Sequence, residues 1–234
     1  MNGVRSLLAA SLAGLLLAGC SSWLKSNVPV SQVYVLRPTW PTWPTGAVTS
    51  MAGTAVVATP MPGTMANATA AAATLQVQFP IAAAGLASDS IAVLRSGERL
   101  DYYSAARWAG AAPGMLQMLA IDALRATHRF TMVESDVGPF ASEYVLSLEL
   151  NHFEAEYSGA GPPTVHVALV GTFGKRGSRD ALASVAADSR VSAEADRLQS
   201  VVAAFERATG DALSQIAAEV PEPVPGPAPV SAKP

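Results

Sequence analysis

Apolar and polar side chains alternate most regularly between Glu143 and Tyr157. Leu146, Leu148 and Leu150 fall on one side, with Ser147, Glu149 and Asn151 on the other, the period of two that marks a strand with one buried face. Past Asn151 the apolar phase flips to Phe153, Ala155 and Tyr157. A slip of one residue exchanges the two faces of a strand, so the pattern predicts a β-bulge or a strong twist there. Gly159 to Pro163 turns the chain, and Val165 to Leu169 is the returning strand of a hairpin. A basic turn, Lys175 to Arg179, leads into a last strand around Leu182 to Val191.

Shorter runs precede this pair. Gln32 to Leu36 reads as a strand ended by Pro38, and Leu75 to Phe79 as a half-buried strand ended by Pro80. Ile91 to Arg95, a turn at Ser96-Gly97-Glu98, and Leu100 to Tyr103 make a second hairpin. Trp108 then leads through Ala111-Ala112-Pro113-Gly114 into a helix, with Pro113 in its first turn and a stripe of Met115, Leu116, Leu119, Ile121 and Leu124. His128 and Arg129 suit the negative end of that helix, and Phe130 to Val133 is the next strand. Leu198, Val202, Phe205, Leu213, Ile216 and Val220 have helical spacing over a long amphipathic segment. Several mostly antiparallel strands with two amphipathic helices imply an α+β fold, a two-layer sandwich whose helices cover one face of the sheet. The other face is left to water or to a partner.

Two stretches lack such periodicity. Pro38 to Ala73 is built from Pro, Thr, Gly, Ala and Met, and no charged residue occurs between Arg37 and Asp89. It reads as an insertion without fixed structure, carrying two loosely packed indoles, Trp40 and Trp43. From Pro221 the Pro-rich tail cannot continue the helix and is expected to be disordered.

The beginning of the chain changes the picture most. Arg5 precedes an apolar run from Leu7 to Leu17, and small residues close on Cys20, the layout of a secretory signal. The run falls short of the roughly 20 apolar residues that a spanning helix needs. Leu17-Ala18-Gly19-Cys20 resembles a bacterial lipobox, in which the cysteine takes a diacylglycerol, the peptide is cut before it, and the new amine is acylated, commonly with palmitate. Two or more acyl chains exceed the marginal hold of one. The expected organisation is a signal peptide at 1–19, a lipid-anchored tether with one strand and a low-complexity linker at 20–73, a folded domain at 74–220 and a disordered tail at 221–234. By analogy with lipoproteins of two-membrane bacteria, the absence of Asp after Cys20 points to the outer membrane, on its periplasmic face.

Composition narrows the classes. Cys20 is the single cysteine, so internal disulfides are excluded and stability rests on a hydrophobic core. A net charge of -3 gives no basic footprint for nucleic acid. Catalytic chemistry is sparse. Of three histidines, His152 shares a strand face with Glu154, and His166 joins them if residue 154 pairs with 166. That trio has the makings of a divalent-metal site with an open position, but a solvated strand face is the reading favoured here, with no metal and no cofactor. No G-x-S-x-G marks a nucleophile elbow. Gly171 to Arg176 has its glycines too close for a phosphate loop, and Arg176 stands where that loop needs Ser or Thr.

The lipobox, the Tyr34-x-Leu36-x-Pro38 strand, the strand with Arg95, Tyr102-Tyr103, and Trp108 before a Pro-led helix occur in an order that resembles the ABC-type transport auxiliary lipoprotein family. Its relatives include lipoproteins of the paraquat-inducible protein C type. The resemblance extends from about Cys20 to Val220; the Pro38–Ala73 segment is longer than the family's usual link. It implies a non-enzymatic partner of an ABC-type system whose periplasmic component carries an MCE domain. Such systems move lipids between membranes, which makes phospholipid a conceivable ligand. A structural or assembly lipoprotein of the outer membrane, without a transport role, is the alternative from another class. Tyr102, Tyr103 and Trp108 are the candidate partner contacts. Burial is the commoner use of large aromatics, and the same trio serves equally as a packing hinge between sheet and helix.

Overall fold

The computed structural model describes residues 31–43, 73–96 and 99–223. Cys20, the apolar leader, most of the uncharged insertion and the end of the Pro-rich tail lie outside those residues.

One strand organises the sheet. β7 (Tyr144–Tyr157) is flanked on one side, along nearly its whole length, by β8 (Thr164–Lys175) in an antiparallel ladder, and β9 (Ala181–Ser192) pairs antiparallel with β8. Three short strands share its other side in succession. β2 (Thr74–Val77) pairs with residues 144–146, β3 (Ile81–Ala82) with 149–150 and β4 (Ser90–Arg95) with 154–157, each parallel to β7. β6 (Met132–Ser135) extends the sheet beyond β2, while β5 (Arg99–Trp108) and then β1 (Gln32–Tyr34) extend it beyond β4. The antiparallel expectation holds for the longest ladders. The shorter pairings, β1–β5, β2–β6 and those of β2, β3 and β4 with β7, run parallel. The strand at Gln32–Tyr34 therefore belongs to the sheet of the folded body.

The phase flip in β7 has the predicted cause. Leu150 pairs with Leu169, but His152 pairs with Ala168, so Asn151 is the extra residue of a bulge. Leu146, Leu148 and Leu150 before the bulge, and Phe153 and Ala155 after it, all reach one core. β5 runs further than its sequence suggested, from Arg99 to Trp108. Its pairing with β4 is interrupted between Ser90 and Ala92.

α1 (Ala112–Ala126) and α2 (Leu198–Glu219) cover one face, and no helix among the described residues is long and apolar enough to cross a membrane. Their buried stripes include Leu116, Ile121 and Leu124 from α1 and Val201, Phe205, Leu213 and Ile216 from α2. Each such side chain contributes about 1.5–3 kcal/mol by leaving water. Arg129 differs from its expected role. α1 ends at Ala126, His128 turns the chain at a left-handed φ of 55°, and Arg129 donates instead to the Ala218 and Val220 carbonyls at the end of α2. It supports the other helix's negative terminus, and burial lowers its pKa.

The indoles of the insertion are not loose: Trp40 and Trp43 pack against the hydrophobic core. Just before them, the Arg37 amide donates to Glu206 Oε1 at 3.0 Å. A Cβ on Gly210 would come within 3.2 Å of Pro38 Cβ. Glycine in mid-helix thus lets this segment cross α2 closely, at a propensity cost of about 1 kcal/mol.

Candidate functional site

On the face of the sheet away from the helices, the bulge at Asn151 sets His152, Glu154 and Glu156 on one side of β7, since alternate residues of a strand share a face. The β7–β8 register puts His166 opposite Glu154, and the β8–β9 register puts Arg190 opposite His166 and Asp188 opposite Ala168. The trio expected from sequence comes together, with three further charged groups around it.

The imidazoles of His152 and His166 stack with centroids 4.1 Å apart and planes 18° from parallel. His152 Nδ1 lies 2.6 Å from Glu154 Oε1. His166 Nδ1 lies 2.9 Å from Glu156 Oε1 and 4.0 Å from Glu154 Oε1, and its Nε2 is 3.0 Å from Asp188 Oδ2. Arg190 Nη1 donates to Glu156 Oε2 at 2.9 Å, and its Nη2 stands 3.1 Å from His166 Nδ1. The expected solvated face is corrected for two members: His166 is 2% exposed and Glu154 4%. His152 and Arg190 cover them with their own side chains. The hydrogen bond from His166 is the main cause that lowers the Asp188 pKa, aided by the charges of His166, Arg190 and His152.

The three aromatics expected near a partner separate in space. Trp108 is 1% exposed, wedged against Phe153 and Phe205 with centroids 5.7 and 5.1 Å away. It forms the packing hinge and presents no surface. Tyr103 packs against the core, and its hydroxyl shares a 2.9 Å hydrogen bond with that of Tyr157, which donates to Asp196 Oδ1 at 2.7 Å. Burial raises both phenol pKa values, and for Tyr157 the bonds to Tyr103 and Asp196 raise it further. Tyr102 is 45% exposed and donates to the Gly85 carbonyl.

An apolar groove of about 410 Å³ lies where the chain enters α1, lined by Val35, Phe79, Ala111, Met115, Met118 and Leu119 among others. Val35, Phe79 and Met118 are exposed despite their size. Sequence reading missed it because Val35 and Phe79 continue strand-like runs, and the strands end just before them.

The family model for the ABC-type transport auxiliary lipoprotein component matches residues 56–217. The chain belongs to that family, a component of transport systems and not a class of enzymes. Among solved structures, a protein from Xanthomonas campestris is 20% identical, with a TM-score of 0.63, 80% of this chain covered and 93% of that one. A second, described only as uncharacterized, is 13% identical with a TM-score of 0.57, covering 82% of this chain and 99% of that one. At these identities the likeness concerns the fold. No curated protein sequence matches the chain.

Proposed function

We propose that this chain is a lipoprotein held on the periplasmic face of the outer membrane through acylated Cys20, where it docks the MCE-domain protein of an ABC-type system and assists lipid movement without catalysing a reaction. Family membership across the folded body carries the reading. The lipobox at Leu17 to Cys20 fits it. The groove beside α1 exposes Val35, Phe79 and Met118 together, and contiguous apolar surface of this kind marks interaction sites. The groove is the proposed docking surface, and of the sequence trio the exposed Tyr102, with Tyr103 next to it, is proposed as a further partner contact.

The test is a mild-detergent pull-down of the tagged full-length chain, with mass spectrometry of co-purified protein and lipid. An MCE-domain protein in the eluate is the expected result. Outer-membrane assembly proteins alone would overturn the transport reading in favour of a structural lipoprotein.

A further inference from the structure

We propose that His152, Glu154, Glu156 and His166 bind one divalent transition-metal ion, of which zinc is the best fit, on the helix-free face of the sheet. One donor atom from each lies within 4.8 Å of all the others. Two imidazoles and two carboxylates are a donor set that zinc accepts, and around a tetrahedral zinc with bonds of about 2.0–2.1 Å the donors stand about 3.3 Å apart. The contacts at 2.6 and 2.9 Å open slightly to admit the ion. His152, stacked on His166 and with its side chain 46% exposed, rotates out of the stack to aim a nitrogen at the ion, and the 4.0 Å between His166 Nδ1 and Glu154 Oε1 narrows as both bind it.

Asp188 gives independent support. Its carboxylate holds His166 Nε2 at 3.0 Å, which directs the Nδ1 lone pair toward Glu154 and Glu156. A carboxylate behind a ligating histidine is the usual outer partner of a metal site, fixing the tautomer and the ring's orientation. In the ion-free chain the cation that meets this atom is Arg190, whose Nη2 stands 3.1 Å from Nδ1.

Charge points the same way. Glu154, Glu156 and Asp188 supply three negative charges and Arg190 one positive, so one divalent ion on neutral imidazoles brings the cluster to neutrality, the same balance that two imidazolium protons give without it. Glu154 Oε2 accepts from the Phe153 amide, which leaves Oε1 as the buried carboxylate oxygen free to take a share of the ion's charge. Arg190 occupies part of the cation position, bonded to Glu156 and close to His166 Nδ1. Its side chain is 53% exposed, so the guanidinium can swing out as the metal enters. Arg190 is a competitor of the ion, and this sets the site apart from a surface that merely attracts cations.

The full-length chain in detergent, stripped with a chelator, is titrated with Zn²⁺ by calorimetry and with Co²⁺ by visible absorption. Saturation at one ion per chain is expected, with the intense bands of tetrahedral Co²⁺. His152→Ala removes a half-exposed ligand without disturbing the core and is expected to weaken binding at least ten-fold. Asp188→Asn, a positioning change, is expected to weaken it by roughly 10–100-fold. Arg190→Ala is expected to tighten it several-fold, the one direction that loss of fold cannot mimic. Absence of saturation at one equivalent, or equal binding by the wild-type and His152→Ala chains, would overturn the site and leave a metal-free ion-pair cluster.

Discussion

The Phe205 and Trp108 rings meet in a T-shaped contact, at a centroid distance of 5.1 Å and an angle of 79°. That contact joins the end of β5 to the middle of α2, residues nearly a hundred positions apart, and Phe153 completes the cluster 5.0 Å from Phe205. Sheet and helix layers are fastened here.

Trp108→Ala is therefore expected to destabilise the fold by about 3–5 kcal/mol, read as a shift of the urea midpoint. Trp108→Phe should cost distinctly less. It keeps an aromatic against Phe205 and removes the indole N–H, which has no hydrogen-bond partner among the described residues. Equal losses for the two variants would show that ring packing is not what Trp108 contributes.

Gly171 lies where β8 passes between neighbours. A Cβ there would come within 2.7 Å of Val185 Cγ2 and 3.3 Å of the Leu146 and Leu148 methyls. Gly171→Ala is expected to cost about 1–3 kcal/mol by overpacking. Gly161→Ala, in the β7–β8 turn where a Cβ meets nothing within 4 Å, should leave the thermal midpoint nearly unchanged.

The Tyr103–Tyr157–Asp196 chain predicts alkaline sensitivity. The Tyr157 pKa is raised in the folded state above its ordinary value of 10.0, so the fold holds the phenol proton more tightly than the unfolded chain does. The resulting stability is present in full below about pH 10 and is lost as pH rises through the folded pKa. Urea midpoints should fall more steeply above about pH 10 in the wild type than in Tyr157→Phe. At neutral pH the variant should be less stable by about 1 kcal/mol through lost hydrogen bonding.

Met118 lines the apolar groove and is exposed. Met118→Glu is expected to change stability by no more than about 0.5 kcal/mol, as surface substitutions usually do. The same change should abolish recovery of the MCE-domain protein in the pull-down. Undiminished recovery would move the docking surface elsewhere, with Tyr102→Ala the next variant to measure.

Much of this fold was legible before any coordinates. Alternation in Glu143–Tyr157, its phase flip at Asn151, the hairpin that follows, and both helical stripes are local patterns, whereas the register that sets Glu154 opposite His166 was only a condition until the structure gave it. Side-chain period fixes the face of a strand or helix, so neighbouring residues suffice to specify it. Tertiary structure alone decided that β2, β3 and β4 share one flank of β7, because parallel pairs are joined by long connections whose ends carry no matching local signal. It also decided that Trp40 and Trp43 are packed, that Arg129 serves the far helix, and that Asp188 and Arg190 close over His166. Those outcomes depend on which surfaces meet across the folded chain. The period of a strand tells each side chain which way to face, but not what it will find there.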